Sequence, residues 1–195
     1  TGSSTATGYS RALRRAITAD TPYNPTDRPS TTGHNVASDW ASVLKRARNG
    51  VFLFSRDFME YHSDRFHDFS ALIYLDNVPV SVFPASIDNS SYHVTSHGGL
   101  TFGGPVFVKN LRGSSALEAI DALLGSLKQW GAKSLTVKLL PDAFCSYPSS
   151  EAAYAFWRRG FQVVRRDLSS LLPLDDSLPV NKSKMQASRK GIKAG

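Results

Sequence analysis

Residues 96–104 read Ser-His-Gly-Gly-Leu-Thr-Phe-Gly-Gly, four glycines around one histidine and one threonine between two strand-like runs. Glycine lacks a Cβ and reaches positive φ without strain, so such a backbone either comes close to a ligand or bends a twisted sheet. The first use makes a cradle for a phosphate or an acyl carbonyl, its N–H groups near the start of the next helix. The second makes only a bulge, and the stretch by itself leaves both open. A second concentration of chemistry is residues 61–68, Tyr-His-Ser-Asp-Arg-Phe-His-Asp, a density of titratable groups unusual for a plain connector. Lys138 adds one ammonium to an otherwise apolar strand just ahead of Pro141.

Several chemistries lack their residues. His62-x-Asp64 and the His93 to His97 spacing have no convincing third ligand, so no metal is expected. There is no phosphate-binding Walker loop, dinucleotide fingerprint or Gly-x-Ser-x-Gly elbow. Cys145, the single cysteine, has no histidine beside it and reads as structural; it also rules out an intramolecular disulfide and suggests a reducing compartment.

The 195 residues, 41% hydrophobic and 20% charged, suit one well-buried core. The net charge of +7 is uneven: Lys182, Lys184, Arg189, Lys190 and Lys193 crowd the end, and Arg11, Arg14 and Arg15 the start. Both knots fall outside the expected core, as solvated segments or, for the tail, a nucleic-acid contact. No apolar run approaches the roughly 18 residues that cross a bilayer, and no charged-then-apolar leader opens the chain, so a cytoplasmic protein is expected.

The elements that must position these groups follow from patterning. Residues 1–35, rich in Ser, Thr, Gly and Pro, are expected to be a flexible arm, with a short helical turn at residues 11–19. Residues 36–178 are expected to form the domain, and residues 179–195 a basic tail. Ser38 is read as capping a helix that Asn49-Gly50 ends, and Ser55 as capping a shorter one. Residues 69–75 and 78–85 predict antiparallel strands joined by a tight Asp76-Asn77 turn. Residues 105–108 predict a strand. Ser115 and Glu118 have capping-box spacing ahead of an apolar face running from Leu117 to Trp130. A strand at residues 134–140, a helix through Trp157 and a last strand at residues 161–168 complete an α/β (α+β) fold with a mostly antiparallel sheet.

That order is similar to the acyl-CoA N-acyltransferase (GNAT) fold. Residues 52–66 (Phe-Leu-Phe-Ser-Arg-Asp-Phe-Met-Glu-Tyr-His-Ser-Asp-Arg-Phe), Phe83-Pro84-Ala85 and residues 97–104 resemble a branch found among bacterial polysaccharide-biosynthesis proteins, itself related to the Fem-type transferases of peptidoglycan bridges. The resemblance spans residues 50–172. It implies an acyltransferase acting on an amino-sugar or sugar-linked acceptor in cell-envelope or exopolysaccharide synthesis, with acyl-CoA or aminoacyl-tRNA as donor. It also implies a second, similar domain beginning near residues 188–195, or a homodimer. One motif departs: where the superfamily carries a Gln or Arg followed by Gly-x-Gly or Gly-x-Ala, residues 110–115 read Asn-Leu-Arg-Gly-Ser-Ser. A substrate-docking half without catalysis is therefore the rival.

Acyl transfer needs a base for the acceptor's proton and donors for the oxyanion. His97 or His62 would be the base, with Asp64 orienting His62 if the helix ends between them. Arg56 and Arg65 would clamp a phosphate or carboxylate, with Tyr61, Gly98, Gly99, Thr101, Gly103, Gly104 and Lys138 lining the acceptor groove. His34, His67 and His93 are expected to be hydrogen-bonded structural residues.

Overall fold

The computed structural model describes residues 17–19, 35–168 and 170, with residues 183, 185, 186, 189, 190 and 192 of the tail. The arginine knot at residues 11–15, His34, Lys182, Lys184 and Lys193 lie outside the described residues. The chain divides into two compact units, Thr1–Gln162 and Val163–Gly195.

The first unit has the expected class: two small sheets of antiparallel and parallel strands with helices against them. Strand β1 (Ile17–Ala19) pairs antiparallel with β3 (Ala71–Leu75), so these three residues are strand, not the expected helical turn. The neighbouring ladder, which sequence reading of the segment alone does not contain, decides it. Helix α1 (Val36–Arg46) starts one turn before the expected cap, because Asn35 rather than Ser38 supplies the capping oxygen, at 3.1 Å from the Ser38 amide. A 3₁₀ turn (Phe52–Phe54) and short helix α2 (Arg56–Glu60) follow, the latter capped by Ser55 as expected.

Strands β2 (His67–Asp68) and β3 run into each other, and so do β4 (Val78–Phe83) and β5 (Ser86–Asp88). They form one long hairpin shared by two sheets. Asp76 and Asn77 both take positive φ, 52° and 62°, at its tip, as the tight turn requires. The switch between sheets falls at Pro84, which has no N–H to give a ladder. There the Phe69 amide donates to the Ala85 carbonyl at 2.9 Å, and the Ala85 amide to Ser70 Oγ at 3.1 Å. The next strand makes the same crossing: β6 (His93–Thr95) lies beside β5, and β7 (Val106–Phe107) beside β4. The sheet orders are β1-β3-β4-β7 and β2-β5-β6-β8, where β8 (Ser134–Thr136) runs parallel to β6.

Helix α3 (Gly113–Gln129) buries Ala116, Ala119, Ile120, Leu123 and Leu127, a stripe of apolar side chains worth about 1.5–3 kcal/mol for each large one. Its first residue is Gly113, ahead of the expected Ser115 cap, and no side chain of the preceding residue caps it. Glu151, at the start of α4 (Glu151–Arg158), stands near this start, and the Gly113 N–H is among the groups that lower its pKa. The same carboxylate pairs at 3.1 Å with Arg48, whose side chain is 0% exposed. Arg48 Nη1 also donates to the Leu111 carbonyl at 2.8 Å, and the guanidinium lies over the rings of Phe107 and Tyr147. One buried cation thus joins the end of α1, β7 and both helix starts.

Residues 161–168, expected as the last strand, form none; Val164 is 84% exposed. Branched residues favour extended chain, but a strand exists only once a neighbour takes its N–H and C=O groups.

Removing Arg48 leaves the Glu151 carboxylate without its cation. Arg48→Met is expected to lower unfolding free energy by about 3 kcal/mol in urea titration, and Glu151→Gln, which leaves the wholly buried guanidinium without its anion, by at least as much.

Candidate functional site

The glycine-rich stretch is the crossing of the third strand between the two sheets. Val82 pairs with Val106 and Ser86 with Thr95, so residues 83–85 face the whole of residues 96–105, and the excess must loop out. The loop is pinched at its base. A Cβ on Gly103 would overlap the Ser96 carbonyl and side chain, so only glycine fits there. Both sides of the pinch are tied to the strand extending β8: the Lys138 amide donates to Ser96 Oγ at 2.8 Å, and the Gly103 amide to the Lys138 carbonyl at 2.6 Å. Lys138 Nζ donates to the Leu100 carbonyl inside the loop. Burial lowers that ammonium's pKa.

The amides therefore do not form an open cradle. Gly98 N–H is spent on Ser86 Oγ at 2.8 Å, Leu100 N–H on the His97 carbonyl, and Gly103 N–H on the Lys138 carbonyl. Gly98 and Gly99 instead make room for Phe66: a Cβ at Gly98 would lie 2.5 Å from the ring, and one at Gly99 2.9 Å. Gly104 is buried with φ 87° against Leu139 and Val137, and Thr101 is exposed.

His97 concentrates several costs. It is 3% exposed, its φ is 59°, and its Nδ1 is buried with no hydrogen-bond partner among the described residues. A left-handed conformation costs a non-glycine residue about 1–2 kcal/mol. Burial, above all, lowers its pKa to about 4; the Asp68 carboxylate opposes this, and His62, Arg56 and Lys138 add to it. The imidazole is thus neutral at pH 7. It lies behind Phe66, ring centroids 5.8 Å apart, not in an open groove.

The expected His62–Asp64 pair is replaced by a chain through Arg65. The guanidinium donates from Nη2 to His62 Nδ1 at 2.7 Å and its Nε lies 3.5 Å from Asp64, because the turn ending α2 puts both on the Arg65 side. Nδ1 being an acceptor, neutral His62 carries its proton on Nε2. Tyr61 is exposed, edge-on to His62. Arg56 is not a clamp in this arrangement: it pairs with Asp68 at 2.6 Å and stacks over Trp40, most of its surface covered. An anionic ligand would have to displace Asp68.

A hollow of about 390 Å³ opens between the end of α2 and the β5–β6 turn, with Arg65, Phe66, His67, Asn89, His93 and Gly98 on its walls. Of the expected site residues, this space gathers Arg65 and Gly98. His67 and His93 border it too. His93 has the structural bond expected of it, Nδ1 to Ser134 Oγ at 2.7 Å, whereas the His67 ring, on a backbone paired with Ile87, has no hydrogen-bond partner among the described residues. Sequence reading missed both because a histidine's setting depends on the facing strand; the only signal was His67 within the polar cluster at residues 61–68.

Among the described residues no group of three or more His, Cys, Asp or Glu could hold a metal, and no helix is long and apolar enough to cross a membrane. No family model matches the chain, and comparison with curated proteins gives no match. Among solved structures, an aminoglycoside N-acetyltransferase, AAC(6')-Iy, in complex with CoA, overlays at a TM-score of 0.47 and 14% identity, covering 84% of this chain and 97% of that one.

Two outcomes follow from this geometry. His97, neutral when folded and near its usual value of 6.5 when unfolded, binds fewer protons in the native state between those pH values. Stability is therefore full above pH 6.5 and falls by about 3 kcal/mol as pH drops toward 4; urea midpoints against pH should show the slope in the native chain and not in His97→Gln. Separately, Gly98→Ala should destabilise by about 1–3 kcal/mol and recover with Phe66→Ala, because a side chain is in the way. Gly103→Ala should not recover, because the obstruction is backbone.

Proposed function

We propose that this chain is a GNAT-type acyltransferase that moves an acyl group from acyl-CoA to the amine of an amino-sugar or sugar-linked acceptor, in a cytoplasmic step of cell-envelope or exopolysaccharide synthesis. The resemblance of residues 52–66, 83–85 and 97–104 to the Fem-related branch supports the reaction class, and so does the element order from α1 through β8. The observation that carries the reading is His97: a buried, neutral imidazole with an unpaired nitrogen in a strained backbone conformation. Backbone strain and an unmet buried polar atom are features that active-site residues concentrate, and the low pKa leaves Nδ1 unprotonated and able to accept a proton.

In this reading Phe66 is the wall between the hollow, where the acceptor ring rests, and His97, and the amine has to reach past its edge to meet the imidazole. The acceptor amine attacks the thioester carbonyl carbon, Nδ1 of His97 takes the amine proton, the C–S bond breaks, and the proton passes to the departing thiolate. Arg65 holds the acceptor, with Asp64 and His62 aiming it. Tyr61 and Thr101, both exposed, extend the acceptor surface.

Thiol release should be seen with a panel of acyl-CoA donors and amino-sugar acceptors. His97→Gln should lower kcat about 100-fold with KM little changed and the melting temperature retained at pH 7.5. No thiol release with any donor, and no thermal shift with CoA, would sink the reading.

One observation favours a second reading, a substrate-docking half whose donor arrives on another domain. The α3 N-terminus, where exposed N–H groups would receive a diphosphate, has the Glu151 carboxylate beside it, a charge that disfavours a second anion there. Aminoacyl-tRNA is the donor that this reading suits, bound through Arg189, Lys190 and the rest of the basic tail; RNA affinity falling steeply with salt would mark it.

A further inference from the structure

The walls of the hollow between α2 and the β5–β6 turn have a distinct chemical bias. Arg65 is its cationic edge, 57% exposed, with Nη2 and Nε committed to His62 and Asp64 and Nη1 facing no partner among the described residues. His67 and Asn89 add donors that also lack partners among the described residues, and His93 keeps Nε2 beyond its bond to Ser134. The Phe66 ring, braced on the Gly98–Gly99 backbone, supplies an apolar face. The one carboxylate on these walls, Asp88, is occupied by its own turn: Oδ1 accepts from Ser90 N at 2.9 Å and Ser90 Oγ at 2.8 Å, and Oδ2 from Ser91 Oγ at 2.7 Å. These bonds keep Asp88 ionised, its pKa lowered to about 2, but they hold both of its oxygens on the serines of its own turn, and Arg65 is the one cation on the walls.

A volume of about 390 Å³ is at the small end of ligand pockets. It suits one sugar ring with a single charged substituent better than a chain of rings. A guanidinium recognises planar or tetrahedral oxyanions, and amide and imidazole groups suit hydroxyls.

We propose that this hollow is a binding site for a monosaccharide-sized polyol carrying one carboxylate or phosphate, the oxyanion on Arg65 and His67, the hydroxyls on Asn89 and His93, and the apolar ring face on Phe66. As the identity of the acceptor it rests on the transfer reaction proposed above; as a binding site it does not need it.

Calorimetry without any acyl donor separates the two. Glucuronate and glucose 6-phosphate should bind, with uncharged glucose weaker by about tenfold or more, and the tighter of the two acids identifies the oxyanion. Arg65→Ala should bring both acids down to the affinity of glucose without moving the melting temperature, since the side chain is exposed. Equal binding of all three sugars to the native chain, no binding of either acid, or acid binding that survives Arg65→Ala overturns the site. Acid binding with no transfer from any donor keeps the site and removes the reaction. Transfer to a neutral amino sugar at a rate untouched by Arg65→Ala keeps the reaction and removes the site.

Discussion

A single carboxylate, Asp68, sits where one hairpin is divided between two sheets, and the first unit is built outward from that junction. Its Oδ1 accepts from the Ser70 amide at 3.0 Å and from the Ser70 hydroxyl, its Oδ2 from Arg56 at 2.6 Å. Ser70 Oγ in turn takes the Ala85 amide, a donor that the ladder cannot use next to Pro84. Arg56 lies over Trp40, whose indole N–H donates to the Phe54 carbonyl at 2.8 Å. Two helices and two sheets thereby meet at one charge-assisted network, most of it shielded from water, where such bonds are stronger and harder to lose. The split that it holds open makes β6 leave the β4 neighbourhood and forces the third strand to cross between sheets.

That crossing explains the glycines more fully than a ligand cradle does. Gly103 permits a backbone pinch, Gly104 a positive φ, and Gly98 with Gly99 an aromatic ring laid directly on main chain. The strain collects at His97, a non-glycine residue in a glycine-like conformation, rather than being spread over the loop. A loop that only had to bend could have placed a fifth glycine there. Keeping an imidazole, buried and neutral, is the choice that a packing account leaves unexplained.

The Arg48–Glu151 pair has a comparable double character. It ties α1, β7, α3 and α4 together around a guanidinium without solvent exposure, and its anion stands beside the start of α3.

The sequence by itself determined the elements whose signal is local: the apolar stripe of α3, the Asp76-Asn77 turn with its two positive φ angles, the Ser55 cap of α2 and the mixed α/β class. Each depends on periodicity, a turn or a cap within a few residues, which neighbours in the chain settle. Only the tertiary structure decided that Ile17–Ala19 is a strand, that residues 161–168 are not, and that Arg56 faces Asp68 while Arg65 links His62 with Asp64. It alone sealed His97 behind Phe66 and gathered Arg65, His67 and His93 around one hollow. Pairing, burial and charge partnership depend on groups brought close by folding, so the residue types were legible in the chain and their roles were not.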